Sequence, residues 1–517
     1  MADRNATLPL GSLALLLLVF ALTMSALAPV GRWQNRVFGT PAWGEADPGT
    51  WYVFVAHDLG SDEPPRYHGH PGTPLLLLLN AVQRAHHAVA APAGEAFDRF
   101  TARHLDRVLW LSKALVSAAH LLSFWALFAL SRRVLGDARG ACLATLGYAT
   151  SLPVLYYLSR VSPEPLMVAF WAASLLALFA CRSRVDAGAL APAAGFAALA
   201  GLASVSAALA KLQLAGPLPA WIALFLLLHG PPRARVATLG AFGAAALGVF
   251  VLYSQWIDWP LFLDYWRRLA RPLDANLAAL APGGLLPGLS TTGLFPLAEG
   301  LFLGLAAVGA VRARAFVGEQ RVRALAVGGC AVFGLAVFAY RVLLAGDYRP
   351  FHYAFLLLAA GAPFFGLAVA DLERRLPGAP RAARAWIAPA LVVLGLHGLS
   401  LAAVVDARRH DAAVFAPNRP AWTWIARLAP GERLVLHDPQ RPHQAIGPRG
   451  VEARLQNLSG WPAGGLVGIG GPPPTLARAF ASLFVGAPPG FRAPGAERIP
   501  VPALGLDLVR LPRSDGD

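Results

Sequence analysis

The segment from Trp43 to Gly60, WGEADPGTWYVFVAHDLG, sets Glu45, Asp47 and Asp58 among Trp43, Trp51, Tyr52 and Phe54, with His57 inside it and His68 and His70 soon after. A carboxylate within hydrogen-bond reach of a hydroxyl can take its proton as the oxygen attacks. Further ionisable residues recur along the chain. Arg160 and Glu164 stand in YYLSRVSPEPLM, Lys211 in AALAKLQLAGPLP, and Arg341, Asp347, Arg349 and His352 around DYRPFH. Cations of this kind can hold a phosphate. Each group falls at the end of an apolar run, so acid–base and phosphate chemistry require those runs to bring the ends together.

Each residue also has a plainer reading. Asp47 is an ordinary loop acid unless Trp43, Trp51 and Phe54 hold its loop at a membrane surface. Glu45 and Asp47 form an E-x-D pair that could ligate a divalent cation. His68 and His70, two apart beside Gly and Pro, suit substrate contact better than metal. Glu164 opens an apolar run, where an acid also complements a helix dipole. Lys211 closes one, where snorkelling competes with phosphate binding.

The elements are set by composition. Hydrophobic residues make up 56% of the 517 and charged ones 14%, against about 25% charged in an average soluble domain. Mean hydropathy is +0.51. This is the composition of a polytopic membrane protein. The net charge of +15 is almost wholly arginine, since Lys113 and Lys211 are the only lysines. The arginines sit in short clusters between apolar runs and form no basic stripe, which excludes a nucleic-acid partner. Cys142, Cys181 and Cys330 lie inside apolar runs without C-x-x-C spacing, so neither a disulfide framework nor a metal site is expected. No Walker or Rossmann glycine signature occurs in a strand-to-helix context.

Judged against the ~20 residues a span needs, eleven runs are candidates: 10–30, 108–131, 141–158, 163–181, 190–210, 213–229, 236–253, 294–311, 324–343, 351–370 and 385–404. The first contains Ala26-Leu27-Ala28, which imitates a signal-peptidase site, but its length favours a retained span. With a cytoplasmic N-terminus, the inside loops SRRVLGDARG, CRSRVDAG, HGPPRARV, VRARAFVGEQRVR and DLERRLPGAPRAAR hold fifteen arginines. The short outside loops hold Arg160, Lys211, Arg341 and Arg349, in keeping with the positive-inside rule. The expected location is the inner (plasma) membrane.

Long outside loops cover about 31–107 and 254–293. TPLLLLLNAVQRAHH in the first turns polar too soon to span and is expected to lie along the interface, as is WIDWPLFLDYWRRLARPLDANL in the second. After Val405, proline, glycine and charge rise. NRPAWTWIARLAPGERLVLHD reads as a helix, a turn and a strand over 432–437, and ERIPVPALGLDLVRLP as further strand. The expected fold is therefore all-α and polytopic over 1–405, with a small extracytoplasmic α/β domain over 406–517.

The order of these features resembles the GT-C superfamily of polytopic glycosyltransferases. The likeness is strongest to bacterial relatives of the dolichyl-phosphate-mannose protein mannosyltransferases and the lipid A aminoarabinose transferases. EADPGTWYVFVA followed by YHGHPGTPLLLLL is similar to that family's first-loop acid and histidine–proline segment. SRVSPEPLMVAFWAASLLALF is similar to its Arg-x-x-x-Asp segment, with Glu164 in the acid's place. GLASVSAALAKLQLAGPLPAW is similar to its Gly-rich span ending in Thr-Lys, with Ala210 for threonine, and FHYAFLLLAAGAPFFGLA to its late His-Tyr span. The resemblance covers about 10–405.

It implies transfer of a sugar from a polyprenyl-phosphate donor to a glycan, lipid or protein acceptor outside the membrane, by a single inverting displacement. Asp47, Glu45 and Glu164 become the catalytic candidates. Lys211, Arg160, Arg349, His352, Tyr353 and His70 become the candidates for holding substrate and donor phosphate. No cofactor is implied, with a divalent cation at Glu45 and Asp47 as the alternative. Membrane lipids are the other expected partners. A transporter or flippase of lipid-linked glycans is the rival, but it would place ionisable residues at midplane in paired repeats, and no internal repeat is seen. A non-catalytic scaffold is the third reading. The topology has a direct check: alkaline phosphatase fused after Asp517 should be active and a fluorescent protein there dark, and the opposite pattern would overturn the span count.

Overall fold

A computed structural model describes residues 72–95, 104–158, 160–211, 217–257, 294–339, 354–375 and 391–405. It also describes positions 21, 52, 53, 56, 59, 97, 100, 101, 259, 260 and 263 and four strands near the C-terminus. The helices are α1 (Thr73–Ala90), α2 (Leu105–Leu135), α3 (Ala138–Ala149), α4 (Leu152–Tyr157), α5 (Glu164–Asp186), α6 (Leu190–Ala210), α7 (Pro217–Leu228) and α8 (Pro232–Ser254). After them come α9 (Leu294–Arg312), α10 (Glu319–Ala339), α11 (Ala354–Arg375) and α12 (Leu391–Val405). Five stretches among the described residues are long and apolar enough to cross a membrane: Arg107–Leu135, Glu164–Asp186, Leu190–Ala210, Pro232–Ser254 and Ala354–Leu372. The chain is a helical membrane protein. Helix α8 exposes Val236, Leu247, Val251 and Leu252, a face suited to lipid.

The apolar run at 141–158, expected as one span, folds as two helices. Asp137 caps α3 by accepting from the backbone N–H of Arg139 and Gly140. The break follows Thr150, whose hydroxyl donates to the Leu146 carbonyl at 2.7 Å. Pro153 then sits in the first turn of α4, where its missing N–H is harmless but where it could not have continued α3.

Helix α5 (Glu164–Asp186) and helix α6 form a tight antiparallel hairpin. Its turn is closed by Gly188 at φ 71 and by backbone bonds from Ala187 to Ser183 and from Gly188 to Val185, a glycine-stopped helix end. Close backbone approach joins further pairs. Gly201 of α6 lies against the Phe242 carbonyl of α8, and Gly366 of α11 against the Gly140 carbonyl of α3. In hydrocarbon, where packing rather than water drives helix association, small residues at such crossings matter most. Phe302 and Phe365 stack at 4.8 Å between α9 and α11.

Helix α1 lies as an amphipathic element beside the bundle, burying Leu75, Leu76 and Leu79 and leaving Arg84 and Val89 exposed. It fastens the first loop: Asn80 Nδ2 donates to the Ala56 carbonyl and Gln83 Nε2 to that of Val53, both at 2.7 Å.

Near the C-terminus, β1 (Arg433–Leu436), β2 (Leu483–Ala487), β3 (Glu497–Val501) and β4 (Leu506–Leu511) form a sheet in the order β1-β2-β4-β3. β1 and β2 pair in parallel, and the other two pairings are antiparallel. The strands expected near 432–437 and in ERIPVPALGLDLVRLP are present, while β2 was not anticipated. The helix expected in NRPAWTWIARLAP lies outside the described residues.

The glycine crossings set an expectation. Gly366→Leu should force α11 off α3 and lower thermal stability in detergent by an overpacking cost of roughly 1–3 kcal/mol, whereas Gly395→Leu, with open space around it, should be close to neutral.

Candidate functional site

Gly188, the turn of the α5–α6 hairpin, is flanked by Glu164 at the start of α5, 24 residues earlier, and by Lys211 at the end of α6, 23 residues later. Antiparallel helices of matched length must bring such positions level. Their side chains meet: Lys211 Nζ donates to Glu164 Oε1 as an ion pair in which both are almost fully buried. Glu164 is held by its place in the first turn of α5, after Pro163, and Lys211 by an extended C-terminal cap whose N–H donates to the Ala207 carbonyl at 3.1 Å.

Arg160 joins the same end of the bundle from the loop between α4 and α5. It is 1% exposed, and its guanidinium lies 3.9 Å from the centroid of the Tyr156 ring, a cation–π contact strengthened by desolvation. The Arg160 backbone N–H donates to the Tyr157 carbonyl at 3.0 Å. Ser117 of α2 braces the loop by donating to the Leu158 carbonyl at 3.3 Å.

Arg160, Glu164 and Lys211, all buried toward this end of the bundle, together carry one net positive charge. The second carboxylate oxygen of Glu164 is shut off from solvent and has no hydrogen-bond partner among the described residues. Chemically, it can accept from a hydroxyl, and the two cations can receive an anion that displaces part of the internal pairing. Lys211 is only 3% exposed, its ammonium turned inward onto Glu164.

Two polar residues nearby escaped the sequence reading. Tyr148 of α3 lies within the field of Glu164 and beside Ser123, yet its hydroxyl closes no hydrogen bond among the described residues. His120 of α2 is wholly buried and approaches the Tyr157 backbone without closing a hydrogen bond. Phe355 gathers them, its ring centroid 6.3 Å from that of His120, 6.4 Å from Tyr148 and 5.8 Å from Tyr157. The available signal was an ionisable residue, His120, inside an apolar run.

Of the other candidates, Glu45, Asp47, His57, Asp58, His68, His70, Arg341, Asp347, Arg349, His352 and Tyr353 lie outside the described residues. Tyr52, Val53 and Ala56 are buried in a cluster with Val161 and Leu166, the residues that bracket Glu164 in sequence. Among the described residues no group of three or more His, Cys, Asp and Glu side chains could hold a metal ion.

No protein-family model matches the chain, and no curated protein does. Among solved structures it is similar to the crystal structure of the Archaeoglobus fulgidus oligosaccharyltransferase complexed with Zn and sulfate. The identity is 12%, over 89% of this chain and 68% of that one, with a TM-score of 0.45. A likeness of that size assigns neither activity nor ligand.

The pair is testable by a double-mutant cycle. Removing one partner of a buried ion pair typically costs about 3–5 kcal/mol, so Lys211→Met should lower the unfolding temperature sharply. Adding Glu164→Gln should restore most of it, and strict additivity of the two losses would mean the groups do not interact.

Proposed function

We propose that the protein is an integral membrane glycosyltransferase of the GT-C kind, taking a sugar from a polyprenyl-phosphate donor and passing it to an extracytoplasmic acceptor. The observation that carries this reading is that Tyr52, Val53 and Ala56 of the first loop share one buried apolar cluster with Val161 and Leu166, close sequence neighbours of the buried Arg160 and Glu164. Asp47 is five residues before Tyr52, a stretch of chain that reaches at most about 18 Å. Base and cations can therefore belong to one site.

The charge matches the substrate. A polyprenyl-phosphate sugar is a phosphodiester with one negative charge, and the cluster has an excess of one positive. As the glycosidic bond breaks, the leaving phosphate gains charge, which Arg160 and Lys211 stabilise in a site closed to water. Asp47, or Glu45 beside it, takes the proton of the acceptor hydroxyl, and attack from the face opposite the phosphate inverts the anomeric centre. Glu164 holds Lys211 in place and offers its second oxygen to a sugar hydroxyl. Arg349, His352, Tyr353 and His70 complete the phosphate and sugar contacts. No cofactor takes part in this scheme; a divalent cation at Glu45 and Asp47 is the variant of it.

A cavity of about 340 Å³, lined by Trp171, Leu218, Trp221, Cys330, Phe333 and Leu356, supplies apolar room for isoprene units. Trp171 lies seven residues along α5 from Glu164, about 10 Å at helical rise. The eleven-span topology, an extracytoplasmic C-terminal domain over 406–517 and residence in the inner membrane belong to the same proposal. The absence of a visible internal repeat in the sequence favours it over the flippase reading.

The test is sugar transfer by the purified full-length protein in proteoliposomes supplied with polyprenyl-phosphate hexoses and pentoses. Asp47→Asn should lose about 10²–10⁴-fold in rate with membrane insertion intact, and Glu45→Gln should lose less. A dead Glu45→Gln beside a fully active Asp47→Asn would move the base to Glu45. Full activity in both would remove the first loop from the mechanism.

A further inference from the structure

The arginines at the other end of α5 read in sequence only as orientation signals, but three of them converge in the fold. Arg133, in the last turn of α2, donates through Nη2 to Ser183 Oγ at 2.8 Å. Arg323, in the second turn of α10, donates through Nη1 to the Arg133 carbonyl at 2.8 Å and through Nη2 to Glu319. Arg182, near the end of α5, faces Asp186 at 3.7 Å, and Arg133 faces Glu319 at the same distance. Three guanidinium groups thus share two carboxylates.

The internal pairing leaves two of the three with unused donors. Arg182 Nε and Nη1 and Arg323 Nε are closed to solvent and donate to nothing among the described residues. Arg133 and Arg182 also repel Arg323 across the cluster. Buried charged donors without acceptors are costly, and the group best suited to guanidinium forks is a phosphate. The Arg133 and Glu319 side chains are 38% and 47% exposed, so the cluster opens at one edge. Arg182 lies 18 residues along α5 from Glu164, roughly 27 Å away. The cluster is therefore separate from the site described above, at the end of the bundle where headgroups lie.

We propose that Arg133, Arg182 and Arg323 form a binding site for a phosphate-bearing anion, supplied by the headgroup of an anionic phospholipid. The phosphate accepts from Arg182 and from Arg323 Nε, drains the repulsion among the three cations and fastens α2, α5 and α10 to one another. Such headgroup sites add electrostatic attraction to the membrane's hydrophobic hold.

The test is thermal unfolding of the purified full-length protein in neutral detergent, titrated with phosphatidylglycerol, phosphatidylcholine or inorganic phosphate at constant ionic strength. Phosphatidylglycerol should raise the unfolding temperature, and the other two should not. Arg182→Gln should weaken the phosphatidylglycerol response about tenfold in concentration, the scale of a lost charged hydrogen bond. Arg184→Gln, at an exposed neighbour, should leave it unchanged. If Arg182→Gln does not fold, Arg182→Lys keeps the charge without the fork and should weaken the response several-fold. Equal responses to the two lipids, or an unaltered response in every folded Arg182 variant, would overturn the site. A shift reproduced by inorganic phosphate and abolished in an Arg182 variant would overturn its assignment to lipid.

Discussion

A carboxylate and an ammonium removed from water must neutralise each other, and the Glu164–Lys211 pair does so at the open end of the α5–α6 hairpin. Desolvation of two charges costs more than their attraction commonly returns, so the surrounding packing has to hold them in register. It does this with the Gly188 turn at the opposite end, with helices of matched length, and with Pro163 and Pro165 at the start of α5. Replacing a buried ion pair by well-packed apolar residues is often neutral or stabilising, so the burial of these charges is weak evidence for a role in stability and accords with the phosphate-binding role proposed for them.

Helix α5 connects two polar regions of different character. At one end, Arg160, Glu164 and Lys211 are buried with a single excess charge beside the aromatic group of Tyr148, Tyr156, Tyr157 and Phe355. At the other, Arg133, Arg182 and Arg323 share two acids at a half-open edge. Between them α5 is apolar and packed on α2 and α6, with Trp171 facing the cavity toward α7 and α10. Close contacts at Gly201 and Gly366 let neighbouring helices approach at backbone distance, which limits how far either end can shift.

Much of this was legible in the residues. Apolar runs located the helices because membrane spans carry their signal in composition, whereas the meeting of Glu164 and Lys211 depends on the Gly188 turn between two helices of nearly matched length, which composition alone does not show. Arg160 was legible as a charge at a span's mouth, but its seat over Tyr156 depends on how α4 turns after Pro153. The break after Thr150 was written in Pro153 and was overridden by the hydrophobicity of the run around it. His120 and Tyr148 were hidden because a single polar residue in an apolar helix shows no periodicity of its own. The arginine cluster was hidden differently: the positive-inside pattern accounts for each loop separately and says nothing about which loops meet. Strand β2, Leu483–Ala487, lies in AFASLFVGA, which is apolar at nearly every position and so shows no alternation of period two.

The central claim is that the buried Arg160–Glu164–Lys211 cluster receives the phosphate of a polyprenyl lipid. The most direct measurement is photo-crosslinking of the wild-type protein in liposomes with a polyprenyl phosphate carrying a diazirine next to its phosphate, followed by peptide mapping. The account predicts label on the peptides that contain Arg160–Glu164 and Lys211, displaced by unlabelled polyprenyl phosphate. Label confined to other helices, or not displaced by the unlabelled lipid, would contradict it.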